Sequence, residues 1–122
     1  MTTSHVSVRW DDADPSALVP GITAATLVGT RLSATRFVLE PGADVPEHSH
    51  GSEEFGHVVR GGLELRCEGV TTTLRAGDAF VVPGGIPHAA RAHDDGCELI
   101  ECYTPPRVPA PPAPPSSTGD TP

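Results

Sequence analysis

The stretch PEHSHGSEEF, residues 46–55, sets two histidines one residue apart and two carboxylates just beyond them. Imidazoles and carboxylates are ligands for divalent transition metals, and imidazole also titrates near neutral pH. On an extended strand side chains alternate faces, so His48 and His50 share one face about 7 Å apart, with Glu47 and Ser49 on the other. Gly51 and Ser52 then turn the chain and make Glu53 and Glu54 the candidate carboxylates. A third imidazole stands in GDAFVVPGGIPHAARA, residues 77–92, where Pro83, Gly84 and Gly85 make a turn and Pro87 precedes His88. A rigid turn ahead of a histidine aims its side chain.

These residues need a scaffold, and the chain offers strands. Gly, Pro and Asp recur at short intervals, and no segment has a helical period. Between the breaks lie runs rich in Val, Leu, Ile, Thr and Phe: HVSVRW, ITAATLV, RLSATRFVLE, FGHVVR, LELRCEG, TTTLRA, AFVVP, HAARA and CELIECY. Short strands separated by turn signals predict an all-β sandwich or barrel. In LELRCEG the alternation of Leu63, Leu65 and Cys67 with Glu64, Arg66 and Glu68 predicts a strand buried on one face. RAGDAF and HDDGCEL read as hairpin turns, because Gly next to Asp supplies the positive φ of a tight turn. From Pro105 the chain becomes PPRVPAPPAPPSSTGDTP, with no apolar periodicity, so residues 1–104 read as one domain and 105–122 as a disordered Pro/Ala-rich tail.

Composition removes several function classes. At 122 residues the chain has room for one core. Sixteen acidic residues against eight arginines and no lysine give a formal charge of −8, which disfavours a nucleic-acid partner. Without lysine, Schiff-base chemistry and a pyridoxal cofactor are excluded. The odd set Cys67, Cys97 and Cys102 lacks a paired spacing and reads as reduced thiols. Neither a secretory signal nor a membrane-spanning stretch is recognisable, so the expectation is a soluble, cytoplasmic protein.

The two histidine stretches together resemble the two motifs of the cupin superfamily. The first motif is Gly, five residues, His-x-His, three or four residues, Glu, six residues, Gly; it is matched in register by Gly42, His48, His50, Glu54 and Gly61. The second is Gly, five residues, Pro-x-Gly, two residues, His, three residues, Asn; it is matched by Gly77, Pro83, Gly85 and His88, with Ala92 in place of the usual Asn. The resemblance extends over the flanks and covers nearly all of residues 1–104. It implies a double-stranded β-helix, or jelly roll, and metal ligation by His48, His50, Glu54 and His88, selecting Glu54 over Glu53. Three imidazoles and a carboxylate suit Fe, Mn, Ni, Co or Zn, and on a six-coordinate ion they leave two positions open.

Many chemistries share this fold. Short single-domain members from bacterial polyketide pathways are cyclases, so the resemblance implies a metal-dependent enzyme acting on a small organic substrate. The reaction it suggests is redox-neutral cyclisation, isomerisation or elimination with the metal as Lewis acid. The alternatives are an Fe- or Ni-dependent dioxygenase and a non-catalytic metal or small-ligand binding module. Open sheet edges lead us to expect a homodimer. Strand alternation puts His57 on the face away from Glu54. Any of Arg36, Arg60, Arg66 and Arg91 could turn inward to clamp a substrate, and Tyr103 is read as core or rim packing.

Overall fold

The computed structural model describes residues 5–111. A single 3-10 turn, Trp10–Asp12, is followed by β1 (Ser16–Val19), β2 (Ile22–Val28), β3 (Ser33–Leu39), β4 (Asp44–His48), β5 (Glu53–Cys67), β6 (Val70–Arg75), β7 (Ala79–Val82) and β8 (His88–Thr104). All pairings between them are antiparallel. The two long strands organise the molecule because they pair twice. Residues 53–61 of β5 run against 97–104 of β8, and residues 63–67 of β5 run against 88–92 of β8. The first half of that ribbon carries β3, β2 and β1 on one side and β7 on the other. The second half carries β4 and β6.

One hydrogen-bonded sheet is thus folded over on itself into two layers, an all-β jelly roll. The fold line runs through glycines. Gly61 and Gly96 take φ of +71° and +78°, and a Cβ on Gly61 would overlap the Gly96 carbonyl oxygen and lie 2.8 Å from its carbon. Only glycine lets two backbones cross that closely in that conformation. Buried side chains of both layers meet between them: Ile22, Leu39, Val58 and Leu99 from one, Leu63, Leu65, Leu74 and Ala92 from the other. The alternation read in LELRCEG holds, with Leu63 and Leu65 buried and Arg66 exposed.

Three expectations change. HVSVRW is not a strand: residues 5–9 lie outside every strand and are exposed, and the chain passes from them into the 3-10 turn at Trp10. HDDGCEL is not a hairpin, for β8 continues through it. The positive φ of Gly96 bends the strand around the corner of the fold instead of reversing it. The third concerns the segment from Pro105. Its residues 112–122 lie outside the described residues, but residues 105–111 lie against the barrel. Ser52 Oγ donates to the Pro105 carbonyl (2.7 Å), Ser33 Oγ donates to the Arg107 carbonyl (2.7 Å), and the Arg107 N–H lies 2.9 Å from Ser33 Oγ. Among the described residues no helix is long and apolar enough to cross a membrane.

Candidate metal centre

The fold brings three imidazoles to one point. His48 ends β4 directly opposite His88, the first residue of β8, in the cross-strand register. His50 reaches them from the loop after β4, not by alternation along a strand as the spacing suggested, because β4 stops at His48. The loop that carries His50 and the turn that precedes His88 are clamped together. Gly85 N–H donates to the His50 carbonyl at 2.8 Å, and a side chain on Gly84 would collide with the Gly51 carbonyl. One ligand nitrogen from each of His48, His50 and His88 falls within 4.8 Å of the others. His88 is buried and the other two are half-buried.

Each ring is locked in the same way. His48 Nδ1 is 2.9 Å from the Pro46 carbonyl, His50 Nδ1 is 3.0 Å from that of Ser52, and His88 Nδ1 is 2.9 Å from that of Ile86. A carbonyl oxygen only accepts, so all three Nδ1 atoms carry protons, and each ring in its neutral form turns an Nε2 lone pair to the centre. Glu54, on β5, borders this cluster. Its Oε1 is 3.1 Å from His50 Nε2 and 3.4 Å from His88 Nε2. His88 Nε2 is buried and has no hydrogen-bond partner among the described residues. A lone pair facing a carboxylate oxygen at these distances is repulsive, and a proton on Nε2 or a cation at the centre would relieve it. The donor set of three aimed imidazole nitrogens and one carboxylate fits a divalent transition metal.

Without a metal, a proton takes part of that role. Burial pulls the His88 imidazole down, but the Glu54 carboxylate and the Ile86 carbonyl outweigh it and raise its pKa. His48 is lowered, chiefly by burial and then by the charges of His88 and His50, against the pull of the Pro46 carbonyl. Burial alone would raise Glu54; His88 and Glu101 reverse that and hold it down at about 2.

Glu101 is a residue the sequence reading passed over. In the β5–β8 register Glu54 faces Tyr103 and Gly56 faces Glu101, so the two carboxyl groups are diagonal neighbours on the inner face. Burial, and after it the Glu54 charge, pushes Glu101 well above the ordinary carboxylate range. Its Oε1 accepts from the Tyr103 hydroxyl at 2.6 Å, and the Tyr103 ring stands edge-on to His50 with centroids 5.6 Å apart. The signal was available: Cys97 and Leu99 point inward, and a period of two carries Glu101 and Tyr103 to the same face.

The centre lies in the wall of a cavity of about 550 Å³ between the layers. Leu18, Val19, Ile22, Phe37, Phe80 and Leu99 form much of its apolar lining, and its polar part comprises Glu47, His48, Ser49, Glu54, His88, Glu101, Tyr103 and Arg107. Glu53 is exposed on the opposite face of β5, and so is His57. None of Arg36, Arg60, Arg66 and Arg91 lines the cavity. Arg36 and Arg60 both bind Glu98, at 3.0 and 2.5 Å, and Arg91 pairs with Asp44 at 3.4 Å on the surface.

Comparison with known proteins agrees with this geometry. Protein SchB of Streptomyces halstedii is 31% identical over 110 residues, 85% of this chain and 80% of that one. Polyketide synthase CurC of Streptomyces cyaneus is 35% identical over 75 residues, 61% of this chain and 49% of CurC, so the match spans about half of CurC. Among solved structures, an RmlC-like cupin from Shewanella frigidimarina superposes with a TM-score of 0.79 at 27% identity, covering 88% of this chain and 96% of that one. Residues 35–101, which include all three clustered histidines, Glu54 and Glu101, match the family model described as Cupin domain. With more than half its length matched by that model, on a jelly roll that gathers three histidines, the chain belongs to the cupin domain family.

Proposed function

We propose that His48, His50, His88 and Glu54 hold one divalent transition metal, and that the protein is an enzyme performing a redox-neutral cyclisation, isomerisation or elimination on a small organic substrate. One observation carries this reading: three Nε2 lone pairs, fixed by three backbone carbonyls, converge beside a carboxylate in the wall of an apolar cavity. When bound, the metal supplies Lewis-acid polarisation of a substrate carbonyl or enolate oxygen. The chain does the rest. The apolar lining, from Ile22 and Phe37 to Phe80 and Leu99, holds the carbon skeleton and keeps water from the reacting end. Glu101 keeps a proton on its carboxyl group, with Tyr103 OH fixing its Oε1. It can deliver that proton to carbon or oxygen and take one back. Likeness to polyketide synthase CurC favours a polyketide-like substrate.

The test is metal content of untagged protein purified without chelator, beside His50→Ala. About one transition metal per chain, lost in the variant, is the expected result; no metal in either protein after reconstitution would end the reading. Oxygen uptake during turnover would move the reaction to the dioxygenase class. The reading also takes the protein as a homodimer, because Phe55 and Val81, paired across β5 and β7, are 44% and 57% exposed side by side on the outer face. Light scattering at micromolar concentration should give twice the chain mass, and Phe55→Arg should give the monomer.

A further inference from the structure

We infer that Arg107 is the specificity-determining residue of the cavity and that the substrate is an anion, an apolar skeleton bearing one carboxylate or comparably acidic group. The inference rests on the proposed metal-dependent reading for the reaction but on separate residues for recognition. Among the described residues Arg107 is the only arginine lining the cavity, and there is no lysine in the chain. Every other arginine on the sheet that was a candidate clamp is spent or exposed: Arg36 and Arg60 on Glu98, Arg91 on Asp44, and Arg66 outside. Arg107 forms no ion pair among the described residues, although it is half-buried and Glu54 and Glu101 line the same cavity. Its guanidinium carbon lies 5.2 Å from the centre of the Tyr103 ring, a cation–π seat that positions the group without using its hydrogen-bond donors.

The backbone shows that this placement is built. Arg107 is held by its own N–H and carbonyl, both on Ser33 Oγ, and Ser33 is fully buried. The neighbouring Pro105 carbonyl is held by Ser52 Oγ, and Pro109, Ala110 and Pro111 continue along the cavity wall. The main chain therefore makes the attachment, and the side chain is left to face the cavity. A half-buried guanidinium whose five donors meet no carboxylate is a receptor for a planar anion. The cavity, about 550 Å³ with a largely apolar lining, takes a molecule of two or three fused rings or an equivalent folded chain. A neutral substrate would leave the guanidinium desolvated and unpaired, which costs binding.

The experiment measures calorimetric binding of 1-hydroxy-2-naphthoate and of 1-hydroxy-2-naphthamide to wild type, Arg107→Leu and Arg107→Lys, each with metal and after chelation. Metal content and thermal unfolding are recorded in parallel. In wild type the acid should bind about 10- to 100-fold more tightly than the amide. Arg107→Leu should lose that preference by weakening the acid alone, and Arg107→Lys should keep part of it. Metal content and unfolding should not change, since the attachment to Ser33 uses main-chain atoms. Equal binding of acid and amide by wild type overturns the inference, and so does an undiminished preference in Arg107→Leu. If the preference follows Arg107 in chelated protein that takes up no metal, the inference stands and the metal reading falls. If metal binds but the preference is absent, the reverse holds.

Discussion

Gly61→Ala should damage both the fold and the site, by an amount that neighbouring glycines calibrate. Glu54, Glu101 and Tyr103 lie on the half of the β5–β8 ribbon in one layer, while His48 and His88 lie in the other. The corner at Gly61 and Gly96 therefore sets the distance between the carboxylates and two of the imidazoles. At φ +71° an alanine pays roughly 1–2 kcal/mol of left-handed strain. Its Cβ would also overlap the Gly96 carbonyl oxygen, so two strands must separate, an overpacking cost of about 1–3 kcal/mol. The sum is about 2–5 kcal/mol. Gly69→Ala isolates the first contribution, because Gly69 has φ +77° and nothing within 4 Å of its Cβ position. It should cost about 1 kcal/mol once the gain from a stiffer unfolded chain is deducted. Gly51→Ala has neither penalty and should be near neutral. Urea unfolding at fixed pH ranks the three, and metal titration of each follows. Affinity should fall only in Gly61→Ala. A Gly61→Ala cost no larger than that of Gly69→Ala, or unchanged metal affinity despite the larger cost, would refute the claim that this corner sets the site.

Saturating Ni or Zn at about 1,000 times its dissociation constant should raise wild-type stability by about 4 kcal/mol, and His88→Ala should lose that response while His57→Ala retains it, as read by thermal unfolding with and without chelator. Metal uptake should release protons and weaken as pH falls, because the raised His88 must lose its proton to bind; a pH-independent affinity between pH 5 and 7 would contradict this. Glu98→Gln should cost about 1–3 kcal/mol near pH 7. Burial raises the Glu98 pKa but Arg36 and Arg60 outweigh it, so the folded value is depressed. The wild-type advantage is thus complete above the ordinary value of 4.5 and shrinks as pH falls below it, which urea unfolding from pH 7 to 3 would show. Arg60 is 76% exposed and contributes little to that figure. Ser33→Ala should detach the Arg107 segment, raising proteolysis after Arg107 and weakening acid binding without removing the metal.

What the sequence disclosed and what it hid divide along one physical line. Period-two alternation and glycine–proline punctuation are local, and they expose strands such as β2, read as ITAATLV and found as Ile22–Val28. The same locality misled at HDDGCEL, because a glycine with positive φ can either reverse a strand or bend it. Which one happens depends on Gly61 of another strand crossing at that point. The histidines were legible as a group through the spacing of both stretches, yet the geometry that aims them was not. Three carbonyls, from Pro46, Ser52 and Ile86, set the ring orientations, and a carbonyl has no letter in the sequence. Glu101 was legible by extending the inward register of Leu99 by two residues. Arg107 was not, because it lies past the last strand, where neither period nor turn chemistry applies. A proline-rich composition gives no packed strand, but it does not forbid attachment: the prolines limit the unfolded freedom of residues 105–111, and two buried serines distant in sequence, Ser33 at the start of β3 and Ser52 just before β5, supply the hydrogen bonds. The recognition residue therefore sits where composition is least informative, and its placement depends on Ser33 and Ser52, whose own positions suggest no function at all.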